Sequence, residues 1–256
     1  MKISRLLITV TIILALGSNA VSGENPSAAE LFQRVEARFN RLNTLSYLAK
    51  RSASSQKQRS DDQWQFRYSK PDKTRIDYHL PQERLLLFDG TTLVEYLPAA
   101  RKALKTEVST LSAEKRSATL QGAFARVAIP GLRLGGYEEM SQRAISVKPV
   151  RWEGVDAYLI EGANPRYAIY IDPKREVLLR TEIYDKNGQL VMRADSSDFI
   201  EVSQGFWFPK VIKSTYGAAA GFMTTEIKLS EIKADEPLAL DLFRFHAPTG
   251  VTFVNP

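Results

Sequence analysis

The sequence contains no cysteine among its 256 residues, and this absence excludes several kinds of site. Without cysteine there is no disulfide bond, no thiol nucleophile, no iron–sulfur cluster and no cysteine-ligated zinc. Attachment of a lipid anchor through a cysteine side chain is excluded as well.

Histidine is almost as scarce, with only His79 and His246. A zinc site usually draws on clustered histidine and carboxylate ligands, and neither residue has a second histidine near it in the sequence. The sequence also lacks a G-x-S-x-G nucleophile elbow, a phosphate-binding P-loop and a G-x-G-x-x-G fingerprint. Glu138 and Glu139 are adjacent, whereas a glycosidase needs two facing carboxylates. We therefore expect no metal, no cofactor and no catalysis, and we interpret the chain as a binding protein.

Long hydrophobic runs are missing except at the N-terminus. Lys2 and Arg5 precede an apolar run over residues 6–16, and small residues follow it. This pattern is typical of a secretory signal peptide, and the run is shorter than the roughly 20 residues that span a membrane. We predict a signal peptide over 1–23, cleaved after Ala20 or Gly23, and a periplasmic location. An uncleaved membrane anchor is the alternative.

The excess of positive charge is mild, with 35 Lys and Arg against 29 Asp and Glu. Export excludes nucleic acid as a partner, so an anionic lipid or an acidic protein surface is the more plausible target. A solvated basic face is the alternative. The remaining composition, 44% hydrophobic and 25% charged, is that of a globular chain, and we predict one domain over 24–256.

Three segments have the pattern of helices. Ser27 and Glu30 form a capping box before apolar residues at helical spacing, which predicts a helix over 28–44. Its polar face is expected to carry Arg34, Glu36, Arg38 and Arg41. A second amphipathic helix is predicted at 111–128 and a short one at 137–143.

Most of the remaining sequence alternates between apolar and polar residues, as strands do. Before the second helix, the alternation begins at about residue 46, and further strands are predicted around residues 64–68, 76–79, 85–88 (the fourth candidate) and 92–97. After the third helix, we predict strands over 145–152, 155–162, 166–172, 176–185, 189–201, 206–216 and 221–233. Because no helices alternate with the strands, we predict an α+β fold. It is a single curved antiparallel sheet of about eleven strands with two or three helices over its concave apolar face.

Apolar and aromatic residues dominate the early strands. From the pattern alone they could be ordinary core beneath the helices or the lining of a binding cavity, because alternation does not separate the two.

The ordered features of residues 67–98 resemble those of the LolA-type outer-membrane lipoprotein carriers. A strand ends at Lys70 and a proline, the next ends at Pro81, and a third leads to Asp89-Gly90, then Tyr96 and Pro98. Residues 243–251 are similar to the closing F-x-F-x-x-P-x-G-V of that family. Residues 171–209 resemble its broader lipoprotein-sorting relatives.

The resemblance implies an unclosed β-barrel whose apolar cavity takes lipoprotein acyl chains, covered by a lid of helices. The implied cavity residues are Trp64, Phe66, Tyr68, Ile76, Tyr78, Leu86, Phe88 and Tyr96. The implied lid residues are Leu31, Val35, Phe39, Leu120, Phe124 and Val127. Lys70 stands where the family has an arginine that contacts the lid.

The resemblance also implies a role. The protein is expected to be a monomeric periplasmic carrier and chaperone for acylated lipoproteins or other lipids. It would receive them from an inner-membrane transporter, deliver them to an outer-membrane acceptor, and touch membranes transiently. The alternative is a sensor or regulatory module like RseB and MucB, which recognises acylated or exposed protein segments.

Overall fold

The computed structural model describes residues 25–56, 58–124, 127, 137–218 and 221–254. The predicted signal peptide over 1–23 lies outside the described residues. Residues 125–126 and 128–136 also lie outside the described residues, and they include the predicted end of the second helix at 128. Within the described part of the chain, no helix has both the length and the apolar character needed to cross a membrane.

The described residues contain three α-helices: α1 Ala28–Asn40, α2 Ala113–Phe124 and α3 Tyr137–Gln142. The predicted capping box at the start of α1 is confirmed. The Ser27 hydroxyl accepts a hydrogen bond from the Glu30 amide at 3.2 Å, and the Glu30 carboxylate accepts one from the Ser27 amide at 2.7 Å. Helix α1 is shorter than predicted, because the chain enters its first strand at Thr44.

Removing the capping hydroxyl by Ser27→Ala is expected to lower the free energy of unfolding by about 1 kcal/mol, since one helix amide loses its partner. Urea unfolding measures this change. Ser230→Ala, at an exposed position in a strand, is the matched control and should have almost no effect. An unchanged unfolding midpoint for Ser27→Ala would show that the box does not stabilise α1.

In the part of the chain that the structure describes, fourteen strands form one sheet. In the first half they are β1 Thr44–Ser55, β2 Arg59–Ser69, β3 Lys73–Leu80, β4 Arg84–Phe88, β5 Thr92–Leu97 and β6 Lys102–Glu107. In the second half they are β7 Ala144–Trp152, β8 Val155–Gly162, β9 Tyr167–Asp172, β10 Val177–Tyr184, β11 Leu190–Ser203, β12 Phe206–Ala218, β13 Gly221–Ala234 and β14 Thr252–Val254.

The sheet order is β14-β6-β5-β4-β3-β2-β1-β13-β12-β11-β10-β9-β8-β7. Each half is a meander of neighbouring antiparallel strands, and the pairing of β1 with β13 joins the two halves. Strand β14 pairs with β6 in parallel. The two edge strands, β14 and β7, are not paired with each other, so the barrel is open. The predicted α+β fold with one curved, unclosed sheet is confirmed.

The sheet has more strands than the roughly eleven that alternation predicts. Strand β6 was missed because its six residues include three charged ones and only Ala103 is buried. Strand β14 was missed because it is three residues long and fully exposed. Strand β14 forms one edge of the sheet and β6 lies next to it, where little apolar burial is needed and the alternating pattern fades.

Apolar residues pack on both faces of the sheet. On the inner face, one cluster lies in the half containing β1–β5, and another lies between α1, α3 and strands β8–β10. On the outer face, a cluster around Phe243 packs beneath the C-terminal segment, and one around Leu179 includes Trp152 and Tyr170. Helices α1 and α3 meet through stacked rings of Phe32 and Tyr137, 5.2 Å apart.

Candidate functional site

The first inner cluster forms a continuous apolar surface, which we name the floor. It spans strands β1–β5, β12 and β13. Its buried residues are Leu45, Tyr47, Ala49, Trp64, Tyr68, Ile76, Tyr78, Leu86, Phe88, Leu93, Phe206, Phe208, Ile212, Ile227 and Leu229. Strands from both ends of the chain contribute, because β1 pairs with β13.

Seven of the eight predicted cavity residues lie on or against the floor. Six are buried within it, and Phe66 is partly buried and packs against it. The residues that sequence analysis did not single out come from β1, β12 and β13. Alternation at Leu45-x-Tyr47-x-Ala49 and at Phe206-x-Phe208 was a usable signal for a strand. It could not show which strands share a face.

Tyr96 differs from this prediction, because it lies on the outer face of the sheet. It pairs with Leu85, whereas its neighbour Glu95 pairs with the floor residue Leu86. Since successive residues of a strand point to opposite faces, Tyr96 points away from the floor. Its ring lies 5.4 Å from Phe245.

Tyr96 also lines an outer pocket of 430 Å³ together with both histidines, His79 and His246. The fold therefore brings the two histidines near each other although the sequence separates them widely. Among the described residues, no group of three histidine or carboxylate side chains could hold a metal ion.

Ring–ring contacts organise the floor. Tyr47 stacks on Phe66 at 4.6 Å and is tilted against Phe208 at 5.7 Å, while Trp64 lies 6.2 Å from Tyr78. Burial raises the pKa of the Tyr47 hydroxyl, so this side chain is neutral at physiological pH. The floor is thus a rigid, uncharged surface of large rings with few rotatable bonds.

The predicted lid residues divide between the two inner clusters. Leu31 and Val35 of α1 pack in the second cluster, over β8–β10. The other four contact the floor: they are Phe39, Leu120, Phe124 and Val127. The floor is therefore covered by the C-terminal end of α1, by α2 and by Val127.

Helix α2 is attached loosely. None of its residues is buried, and its apolar contact with the floor comes from Leu120, Ala123 and Phe124. At its other end the Arg116 guanidinium donates to Asp72 and to the backbone oxygen of Gly90, both at 3.3 Å. The Arg116 and Asp72 side chains are 39% and 28% exposed, and ion pairs open to solvent in this way stabilise little.

The turn beneath Arg116 is rigid by contrast. One oxygen of the Asp89 carboxylate accepts hydrogen bonds from the amides of Thr91 and Thr92, both at 2.8 Å. Burial acts to raise the pKa of Asp89, but these amides outweigh it and hold the pKa below its usual value. Gly90 adopts a positive φ of 104°, which a residue with a side chain rarely adopts. Helix α2 thus rests on a fixed turn.

Lys70 contacts α1 rather than α2. Its ammonium group donates to the backbone oxygen of Asn40, the last residue of α1, at 3.0 Å. Carbonyl oxygens at a helix C-terminus lack partners within the helix and carry partial negative charge, so a cation there is favourable. Lys70 therefore ties the turn between β2 and β3 to the end of α1.

Two ion pairs border the floor: one joins β1 to β2, and the other joins β4 to β5. Arg51 pairs with Asp62 at 2.7 Å, and Arg84 pairs with Glu95 at 3.1 Å. The Arg84 guanidinium lies over the Tyr78 ring, 4.1 Å from its centroid. The floor is thus apolar at its centre and charged along this border, where each cation has a carboxylate.

The helical pattern predicted that Arg38 lies on the solvent face of α1, and this prediction is wrong. The Arg38 side chain is only 2% exposed and points from α1 towards β12. Its Nη1 donates to the backbone oxygen of Trp207, and its guanidinium lies 4.7 Å from the ring centroid of Phe206. Burial lowers its pKa to about 10. The helix packs against the sheet over a wider arc than its apolar residues alone define.

No protein-family model and no curated protein matches the chain. Its fold, however, matches solved structures. A DUF1329 family protein from Desulfovibrio piger is 15% identical, with 85% of this chain and 95% of that one covered at a TM-score of 0.56. A Vibrio parahaemolyticus domain named for outer membrane lipoprotein sorting is 15% identical, with 83% and 94% covered at a TM-score of 0.55.

A LolA superfamily protein from Nitrosomonas europaea is 12% identical, with 86% of this chain and 98% of that one covered at a TM-score of 0.53. Each of the three matches spans nearly the whole of the other chain. At these identities the similarity establishes the architecture only. The chain has a LolA-like fold.

Proposed function

Given the LolA-like fold, we propose that this protein is an extracytoplasmic carrier for the acyl chains of lipoproteins or other lipids. The chains lie on the floor, beneath a cover that opens at α2. One observation carries this proposal: an extensive aromatic floor is covered by a helix with no buried residue of its own.

The energetics of acyl transfer require such a surface. Burying one methylene group is worth about 0.8 kcal/mol, so exposing a chain of about 16 carbons to water costs roughly 12 kcal/mol. A carrier must keep such a chain dry while it crosses an aqueous compartment. A rigid apolar floor provides the binding energy, and a removable cover provides entry and exit.

Helix α2 suits the role of cover because few contacts resist its displacement. An incoming acyl chain would replace Leu120, Ala123 and Phe124 on the floor. The apolar contacts that the helix gives up would then be made by the acyl chain. The remaining attachment is the Arg116 guanidinium, which contacts Asp72 and the backbone oxygen of Gly90. Helix α1, anchored in the second cluster and by Lys70, stays in place.

The cellular route follows from this role together with the sequence. The predicted signal peptide over 1–23 directs the chain to the periplasm. There it would receive its ligand from an inner-membrane transporter and deliver it to an outer-membrane acceptor, with transient membrane contact. The seven cavity residues on or against the floor and the four lid residues that contact it form the binding site.

Titration of the purified protein with a fluorescent long-chain fatty acid tests the proposal. Saturable binding is expected, with an enhanced and blue-shifted emission as the probe leaves water, and non-fluorescent lipids should displace it. Absence of saturable binding at probe concentrations below the critical micelle concentration of the probe would contradict the proposal.

A further inference from the structure

The buried cation of Arg38 lies at the edge of the floor and has no carboxylate partner among the described residues. The guanidinium lies over Phe206, which is a floor residue. Helix α1, which carries Arg38, also contributes Phe39 to the same cluster. The charge of Glu176 acts to raise the pKa of Arg38, but its carboxylate hydrogen bonds Arg41 instead. A guanidinium therefore sits against the apolar surface that would hold an acyl chain.

The hydrogen-bonding capacity of Arg38 is largely unused. A guanidinium has five N–H donors in a planar fork, and Nη1 supplies the bond to the Trp207 backbone oxygen. The Nε atom is buried with no hydrogen-bond partner. Leaving a buried charged donor unpaired is costly, and hydrogen bonds to an anion are the strongest that this group makes.

Two other arginines that the structure describes at the floor differ in this respect. Arg51 and Arg84 are each paired with a carboxylate of a neighbouring strand. Their charges are neutralised within the protein, so they have no need of an anionic ligand. Of these three described arginines, Arg38 is the one whose counter-charge remains to be supplied.

Resting on the proposed carrier function, we propose that Arg38 binds the anionic head group of the cargo, a carboxylate or a phosphate attached to acyl chains. The head group would take up the free donors of the guanidinium at the end of the floor next to Phe206. The acyl chain would run along β12 from Phe206 towards Ile212, six residues of strand or about 20 Å. The cargo class is therefore an anionic lipid.

Matched charged and neutral probes test this assignment. Wild-type protein is titrated with cis-parinaric acid and with its methyl ester, which share one chain and differ in charge. The acid is expected to bind about tenfold more tightly or better, as a charge-assisted hydrogen bond predicts. Arg38→Met should bind acid and ester alike. Arg38→Lys keeps the charge without the fork and should retain part of the preference.

Arg34→Met is the matched control, because Arg34 is an exposed arginine one turn earlier on the same helix. It should keep the full preference for the acid. Equal wild-type affinities for acid and ester, or an Arg38→Met variant that folds and still prefers the acid, would overturn the assignment. If wild type binds neither probe, the carrier function fails and the assignment with it.

Competition then separates the two sources of the anion. Phosphatidic acid and diacylglycerol with identical chains are compared as displacers of bound cis-parinaric acid. Displacement by phosphatidic acid at least about tenfold better than by diacylglycerol, and only when Arg38 is present, assigns a phosphate. A preference confined to free fatty acids assigns a carboxylate. If Arg38→Met changes neither the preference for acid over ester nor that for phosphatidic acid over diacylglycerol, the proposal is contradicted.

Discussion

Tethering α2 to the sheet is expected to reduce the rate of acyl-ligand uptake by about tenfold or more, because a closed cover blocks entry to the floor. Asp72→Cys and Arg116→Cys place two thiols where the natural side chains meet at 3.3 Å. The chain has no cysteine of its own, so a short thiol-cleavable cross-linker reacts only there. Stopped-flow fluorescence with a fatty-acid probe measures uptake before linking, after linking and after reduction.

Reduction of the linker should restore uptake, which separates a blocked cover from a damaged protein. Asp156→Cys with Lys174→Cys is the matched control, since these side chains also form a long surface ion pair but bridge two segments at the sheet rim. Linking that pair should leave uptake unchanged. Normal uptake by protein linked between positions 72 and 116 would show that α2 is not the cover.

Replacing Trp64 with alanine is expected to have the second large effect, on both stability and binding. Trp64 is 1% exposed at the centre of the floor. Truncating a buried tryptophan costs about 3–5 kcal/mol of unfolding free energy. Loss of its surface should also weaken acyl binding by about tenfold, since a large ring no longer contacts the ligand. Urea unfolding and probe titration measure the two effects; Trp64→Phe should give smaller changes in both.

Trp152→Ala separates binding from stability. Trp152 packs on the outer face, where its ring lies 4.4 Å from that of Tyr170. Its truncation should lower stability while leaving acyl affinity unchanged. The floor assignment predicts that affinity depends on which face is altered; equal losses of affinity in the two alanine variants would indicate ordinary core on both faces.

Local features of the fold could be predicted from the sequence because they depend on neighbouring residues. The Ser27–Glu30 capping box needs only a hydroxyl and a carboxylate three positions apart, and it is present. The turn over 185–188 likewise follows from Asn187-Gly188, and Gly188 has the positive φ that such a turn requires. Strands with strong alternation, such as β3 and β5, are present where we predicted them.

Features that depend on distant parts of the chain could not be predicted in this way. The floor exists because β1 pairs with β13, more than 150 residues away, and alternation carries no information about that partner. The face of Tyr96 depends on the register between β4 and β5. Arg38 shows a further limit: its charge indicates solvent, but the width of the contact between α1 and the sheet buries it.

The most direct test of the central claim is native mass spectrometry of the protein, expressed from the full sequence with the predicted signal peptide and purified without detergent, followed by solvent extraction. The carrier proposal predicts protein of increased mass that releases an acylated molecule on extraction, and the Arg38 assignment predicts that this molecule is anionic. Protein recovered only at its unliganded mass, and unable to bind a fluorescent fatty acid, would contradict the account and identify the floor as ordinary core.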